Sequence, residues 1–353
     1  MRIIRKLHVI CLFVFMALVN GCNTKYNDPV LDNFKRTQKL KHFPSRIESD
    51  SIGAIIDLLI MDSVLVTNNM YEEFVYRLYN INTRQPIINC VKKGRGPFEV
   101  LQPNLLNRDS NTIFSTFDVN SRSLIFYTIS DLINGILGSI KVVRLDYNIF
   151  RAIPINDSLV LCTGAFENGE FILINMNSKN IISTLNYPKS KEFESISDFT
   201  RGFVLQGELA LRPNNVEFVK VAGSAGIIEI GKIVNGKMKR VISEEYYYPT
   251  FKLNGKFPVY AKETKFAFHS LIATEDHFYV IYSGNSIADK GKEFTSGEHI
   301  LIYDWELNPI IHCKLDRELK RMSINIERNI AYGYSINSIS GEPEIVCYEL
   351  PNL

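Results

Sequence analysis

Along most of the chain, apolar and polar positions change over in short runs. Ala54 to Ile60, Ser63 to Thr67, Phe74 to Asn80, Ser123 to Ile129, Ser158 to Thr163, Glu170 to Asn175, Phe278 to Tyr282 and His299 to Tyr303 are rich in Val, Ile, Phe and Tyr. Asn, Asp, Gly and Ser separate them, the composition of β-strands closed by turns. No segment holds a helical period for four turns, so the pattern predicts an all-β fold.

The runs recur. Polar turns fall near Asp62 (IMDSVLV), Ser110 (RDSNTIF), Asp157 (INDSLVL), Arg201 (FTRGFVL), Asp276 (TEDHFYV) and Arg328 (IERNIAY). They are spaced by about fifty residues, with one longer interval between Arg201 and Asp276, as expected for propeller blades of three or four strands. Six such units predict a six-bladed β-propeller over 43–353. Glu244 to Lys265 (EEYYYPTFKLNGKFPVYAKETK) reads as the inserted segment. Ring closure should pair the stretch around Phe43 to Glu48 with the last strand, Glu344 to Leu350. Two β-sandwich domains are the competing architecture.

The N-terminus follows different rules. Arg2, Arg5 and Lys6 precede an apolar run, Val9 to Val19, that is about half the length of a bilayer-spanning helix. It ends at Asn20-Gly21-Cys22, which resembles a bacterial lipobox, although Asn20 departs from the usual small residue. Residues 1–21 are therefore expected to be a signal peptide, Cys22 the lipidated residue and 22–42 a polar tether. Two or more acyl chains on Cys22 give stable membrane attachment. Asn23 follows Cys22 where an Asp retains many lipoproteins at the inner membrane, which points to the outer membrane with its face undecided.

At Lys93 to Val100 the chain reads KGRGPFEV, directly after a strand-like run (IINCVK). This string resembles the turn between the first two blades of the TolB-like six-bladed propeller lipoproteins of Bacteroidota. Glu208 to Lys232 and His299 to Ile311 resemble that family's fourth and fifth blades. Phe98 stands where the family often has Gly, and Glu306-Leu307-Asn308 where it often has Asp-Gly-Asn. The resemblance implies architecture and compartment; the family implies no particular activity.

Lys and Arg number 40 against 38 Asp and Glu, a net charge of +2, which gives no reason to expect a nucleic-acid partner. Cys90, Cys162, Cys313 and Cys347 lie in apolar runs without CxxC spacing, so buried thiols are expected, with a disulfide as the alternative. His42, His269, His277, His299 and His312 show no metal-binding spacing, and neither metal nor cofactor is predicted. Gly94, Arg95, Gly96, Pro97 and Glu99 lack the third glycine and the following helix of a phosphate-binding loop. They read as a structural turn in which the glycines permit positive φ.

No nucleophile elbow occurs, and no carboxylate pair is singled out. The function expected is a lipid-anchored cell-envelope binding or interaction module whose ligand the sequence does not name, a glycan or an envelope protein being the candidate partners. The alternative is a carbohydrate-active enzyme, a glycosidase or lyase, which should gather carboxylates or a metal at one mouth of the channel. His269 lies where an innermost strand should begin, and Arg212 in a turn of the fourth unit. Tyr246, Tyr247 and Tyr248 open the inserted segment. These five are the candidate binding residues.

Overall fold

The computed structural model describes residues 28–47, 52–136, 138 and 141–353. The expected signal peptide, 1–21, and Cys22 lie outside them. Six four-stranded antiparallel units form an all-β six-bladed propeller. Their innermost strands are Asp57–Met61, Pro103–Arg108, Ile149–Pro154, Gly207–Leu211, Phe268–Ala273 and Arg321–Asn325, for blades 1 to 6 in turn. Each inner strand contacts its neighbours around the ring, and the last touches the first. All six begin at the same end of the central channel, here called the mouth.

Apolar side chains of adjacent blades interleave because neither face of a blade is covered by its own strands. Between blades 1 and 2, the buried Tyr76 ring lies 5.5 Å from both Phe114 and Tyr127. Between blades 2 and 3, Phe117, Val160 and Ile172 pack together. The four cysteines are free and buried among such contacts. Burial pushes the Cys90, Cys313 and Cys347 thiols up to about 12, as expected of core thiols.

Both chain ends close the ring. Phe43–Pro44 pairs antiparallel with the last strand, Pro343–Glu349, through Phe43 opposite Cys347. Thr37–Leu40 adds a parallel fifth strand to blade 5, with Thr37 opposite His312 and Leu40 opposite Leu315. The expected tether is therefore folded from Asp28 onward. Val30 and Phe34 are buried among core residues of blades 4 and 5, so this polar-looking stretch carries apolar anchors that hold it to the propeller.

The fourth repeat is also reset. Phe199 to Leu205 is not a turn between strands, because Asp198–Val204 is a helix whose N-cap, Ser197, accepts the Thr200 N–H at 3.3 Å. Blade 4 makes its first turn at Asn214, whose side chain accepts the Val216 N–H at 2.8 Å. The insertion is a separate two-stranded hairpin, Phe251–Asn254 with Phe257–Tyr260. Among the described residues, no helix is long and apolar enough to cross a membrane.

Candidate functional site

The inner strands bring one polar group after another to the mouth. Asp57 opens the strand of blade 1 and Arg321 that of blade 6; Asn104, Glu208 and His269 are second residues, and Arg151 is a third. The strands of blades 2, 3 and 5 shift register here, between Pro103 and Leu106, Ile149 and Arg151, and His269 and Leu271. Such irregularities re-aim side chains at the end of a strand. In blade 5 the extra residue is Ser270, with φ 56°, and its hydroxyl accepts the Met322 N–H of blade 6 at 2.8 Å.

Glu208 is the hub. Its carboxylate accepts from Arg151 Nε at 3.2 Å and from Arg321 at 3.1 Å, so blades 3 and 6 are both tied to blade 4. Arg321 Nε also donates to the Ile56 carbonyl at 2.8 Å, and the Asp57 carboxylate accepts the Leu106 N–H at 2.8 Å. Burial by itself would raise the Glu208 carboxyl, but Arg151 and Arg321 outweigh it and hold it down to about 2. Asp57 goes the other way: burial raises it to about 6 against the pull of Arg321. Burial, helped by Arg321, lowers His269 to about 3, so its ring is neutral. His269 Nε2 is buried and has no hydrogen-bond partner.

Aromatic side chains gather at the same end. The Phe203 ring, on the helix that leads into the blade-4 inner strand, lies 5.1 Å from Phe150, 5.4 Å from Phe199 and 4.9 Å from Phe257. Tyr260 fastens the hairpin by donating to the Val204 carbonyl at 3.0 Å. The inserted segment and the channel mouth are therefore parts of one region, although the sequence presents them as separate possibilities.

The remaining sequence candidates lie elsewhere. Arg212 stands beyond the far end of the blade-4 inner strand. It pairs with Glu217, donates to the Glu275 carbonyl at 2.7 Å and sits 5.2 Å from the Trp305 ring, which ties blade 4 to blade 5. Tyr246 and Tyr247 complete the outer strand of blade 4 rather than a protruding loop. Their hydroxyls meet Glu244 at 2.5 Å and Tyr282 at 3.4 Å, while Tyr248 bonds Glu245 and packs 5.4 Å from Phe193.

The Gly94 to Glu99 turn folds on itself, with the Gly96 N–H donating to Glu99 Oε2 at 2.7 Å. Neither Gly94 nor Gly96 has positive φ. Phe98 does, at 66°, which is why a glycine would suit that position. A Cβ at either glycine would instead meet the Glu99 carboxylate, the end of a flexible side chain that would have to move aside. Arg95 and Pro97 are exposed.

Sequence reading missed a second charged group between blades 3 and 4. Glu170 pairs with Lys220 and, at 2.6 Å, with Arg240, which also holds Glu229 at 2.9 Å. Burial, and then Glu170, raise the Glu229 carboxyl. Among the described residues, no three His, Cys, Asp or Glu side chains are placed to hold a metal ion.

A model of the TolB-like six-blade propeller family matches residues 56–326. The chain belongs to that family. Two solved structures share its fold. One is a protein of Bacteroides fragilis NCTC 9343 described as exported, with TM-score 0.56 and 12% identity, covering 88% of this chain and 94% of that one. The other is a member of the DUF4221 family from Bacteroides vulgatus ATCC 8482, with TM-score 0.58 and 9% identity, covering 90% and 98%. No curated protein matches the chain.

Proposed function

We propose that this TolB-like propeller is a lipid-anchored cell-envelope protein that binds its ligand at the channel mouth. The observation that carries the reading is the fixed network of Arg151, Glu208 and Arg321 beside the unpartnered His269 Nε2. A rigid ring of inner strands presents these groups at little entropic cost, and the aromatic rings above offer apolar surface for a sugar face or a protein side chain. Export is supported by the description of the B. fragilis neighbour and by the N-terminal pattern ending at Cys22. Outer-membrane placement rests on Asn23.

A screen of envelope glycans and envelope proteins against the chain with Cys22→Ser tests the reading. A ligand lost on His269→Ala and Phe257→Ala, but retained on Arg212→Ala, is the expected result. A ligand insensitive to both mouth substitutions moves the site elsewhere. Anchoring has its own test, in which Cys22→Ala shifts the protein from the membrane to the soluble fraction.

One observation favours the enzymatic alternative. Asp57 and Glu208 are two carboxyl groups at one mouth whose acidities are driven apart, the property that separates acid from base in a glycosidase or lyase. Glu208 is fully engaged by two guanidinium groups, however, which makes it a poor base. Glycan turnover that disappears with Asp57→Asn would establish that alternative over simple binding.

A further inference from the structure

The hairpin at the mouth pairs with no blade, and its outer part is unlike the rest of the propeller surface. Leu253, Phe257 and Val259 are 44%, 54% and 56% exposed. Lys252 and Lys256 stand exposed beside them, with Lys256 Nζ 4.9 Å from the Phe199 ring, and no acidic residue occurs from Thr250 to Lys262. Other loops at the same end add apolar tips. Tyr71, between the second and third strands of blade 1, is 69% exposed, and Phe98, in the connection to blade 2, is 62% exposed. Ile339, between the second and third strands of blade 6 counted from the axis, is 91% exposed. The opposite end of the channel exposes aliphatic residues such as Ile136, Val234 and Ile326, and of the exposed aromatic rings among the described residues Phe43, 41% exposed on the outermost strand of blade 6, lies toward it.

The chain enters the propeller at this same end. Asp28 accepts from the Tyr282 hydroxyl at 2.8 Å, and Tyr282 pairs with Phe268, the first residue of the blade-5 inner strand. From Cys22 to Asp28 the backbone reaches at most about 20 Å even when extended. An acyl anchor on Cys22 therefore holds the mouth, and not the far end of the channel, beside the bilayer. Aromatic and aliphatic tips interspersed with lysines suit the boundary between anionic headgroups and acyl chains.

We infer that the mouth face is a membrane-docking surface, with the hairpin Phe251–Tyr260 seated on an anionic bilayer and its apolar tips inserted. The inference rests on lipidation of Cys22 for its geometry. Docked in this way, the mouth opens toward ligands held at the bilayer surface.

Vesicle flotation tests it without the anchor, using the chain from position 22 with Cys22→Ser, which retains every described strand. It should float with vesicles of phosphatidylethanolamine and phosphatidylglycerol, and much less with phosphatidylcholine alone. Lys252→Gln and Lys256→Gln should each weaken partitioning about fivefold, and Phe257→Ser about tenfold, with unchanged melting temperatures. Absence of flotation by a natively melting chain overturns the inference, as does flotation indifferent to all three changes. Self-association in light scattering that Phe257→Ser abolishes would assign the face to a second copy of the chain and overturn it as well. Mass spectrometry of the native N-terminus separates the two ideas. An acylated Cys22 without flotation removes the docking and keeps the anchor, whereas an unmodified Cys22 with flotation removes the anchor and keeps the docking.

Discussion

Arg321 and Glu208 are ion-paired at 3.1 Å although blade 5 stands between their blades in the ring, so the pair crosses the mouth of the channel. Arg151 completes a bridge at 3.2 Å from the next blade. Three blades are thus clamped from the inside, in addition to the apolar packing and single hydrogen bonds, such as Asp57 with Leu106 and Ser270 with Met322, that join adjacent blades. The Glu208 side chain is only 5% exposed, so solvent screens the clamp little.

Glu208→Gln should destabilise the fold strongly. The substitution keeps the shape but takes the shared carboxylate from two part-buried guanidinium groups, 12% and 21% exposed, a loss of about 3 kcal/mol, the low end for removing one partner of a buried ion pair. Denaturant unfolding monitored by tyrosine fluorescence reads it. A midpoint equal to the parent's would mean that water already satisfies both arginines.

Acid should act through His269. In the unfolded chain the ring takes up a proton near 6.5, but in the fold only near 3, because burial and Arg321 oppose the charge. Its contribution is therefore fully present above 6.5 and is lost as the pH falls toward 3. Asp57 works in the opposite direction: raised from 3.8 to about 6, it contributes below 3.8 and loses that contribution as pH rises through about 6. Replacing His269 with Asn should flatten the loss of stability between pH 6.5 and 4, measured by thermal melting across that range. An unchanged slope would assign the acid sensitivity to His299 and His312, both also lowered by burial.

These groups illustrate which parts were legible in the sequence. The strand-turn pattern at Asp62, Ser110 and Asp157 marks real first turns of blades, because short loops must reverse the chain with Asn, Asp or Ser. Arg201 misled, since Phe-Thr-Arg-Gly-Phe has the polarity of a turn while Ser197 caps a helix there. His269 was visible as the start of an inner strand. The charged network beside it was not: Arg151 and Arg321 are separated from their partner Glu208 by 57 and 113 residues, and nothing local marks a strand residue as axial. Val30 and Phe34 were hidden by the polar residues around them.

At the blade 1–2 connection, strain sits on Phe98 and not on Gly96. A left-handed conformation costs a non-glycine residue about 1–2 kcal/mol, and the Phe98 side chain is mostly exposed, so Phe98→Gly should leave stability unchanged or raise it by about 1 kcal/mol. Gly96→Val should lower it by about 1 kcal/mol, since its Cβ would displace Glu99 from the Gly96 N–H. Melting curves of the two variants should move in opposite directions. A rise with Gly96→Val would show that Glu99 relocates without loss.

Removal of either chain end should break the whole ring. Deleting Met322 to Leu353 takes away almost all of blade 6 and exposes the inner faces of blades 5 and 1, including Ile60, Leu65 and Tyr79. Starting the chain at Ser45 is the sharper experiment, because every inner strand remains. It removes the closing strand Phe43–Pro44, the parallel strand Thr37–Leu40 and the bond from the His42 N–H to Asp316 at 3.0 Å. It also uncovers the face on which Val30 and Phe34 pack against Val219, Ile230 and Tyr303. Burial of such side chains contributes about 1.5–3 kcal/mol each, comparable with a large share of a domain's net stability. The shortened protein should be insoluble, or melt well below the chain that starts at position 22. A soluble product with the parental melting temperature would mean that blades 5 and 6 close without the N-terminal strands.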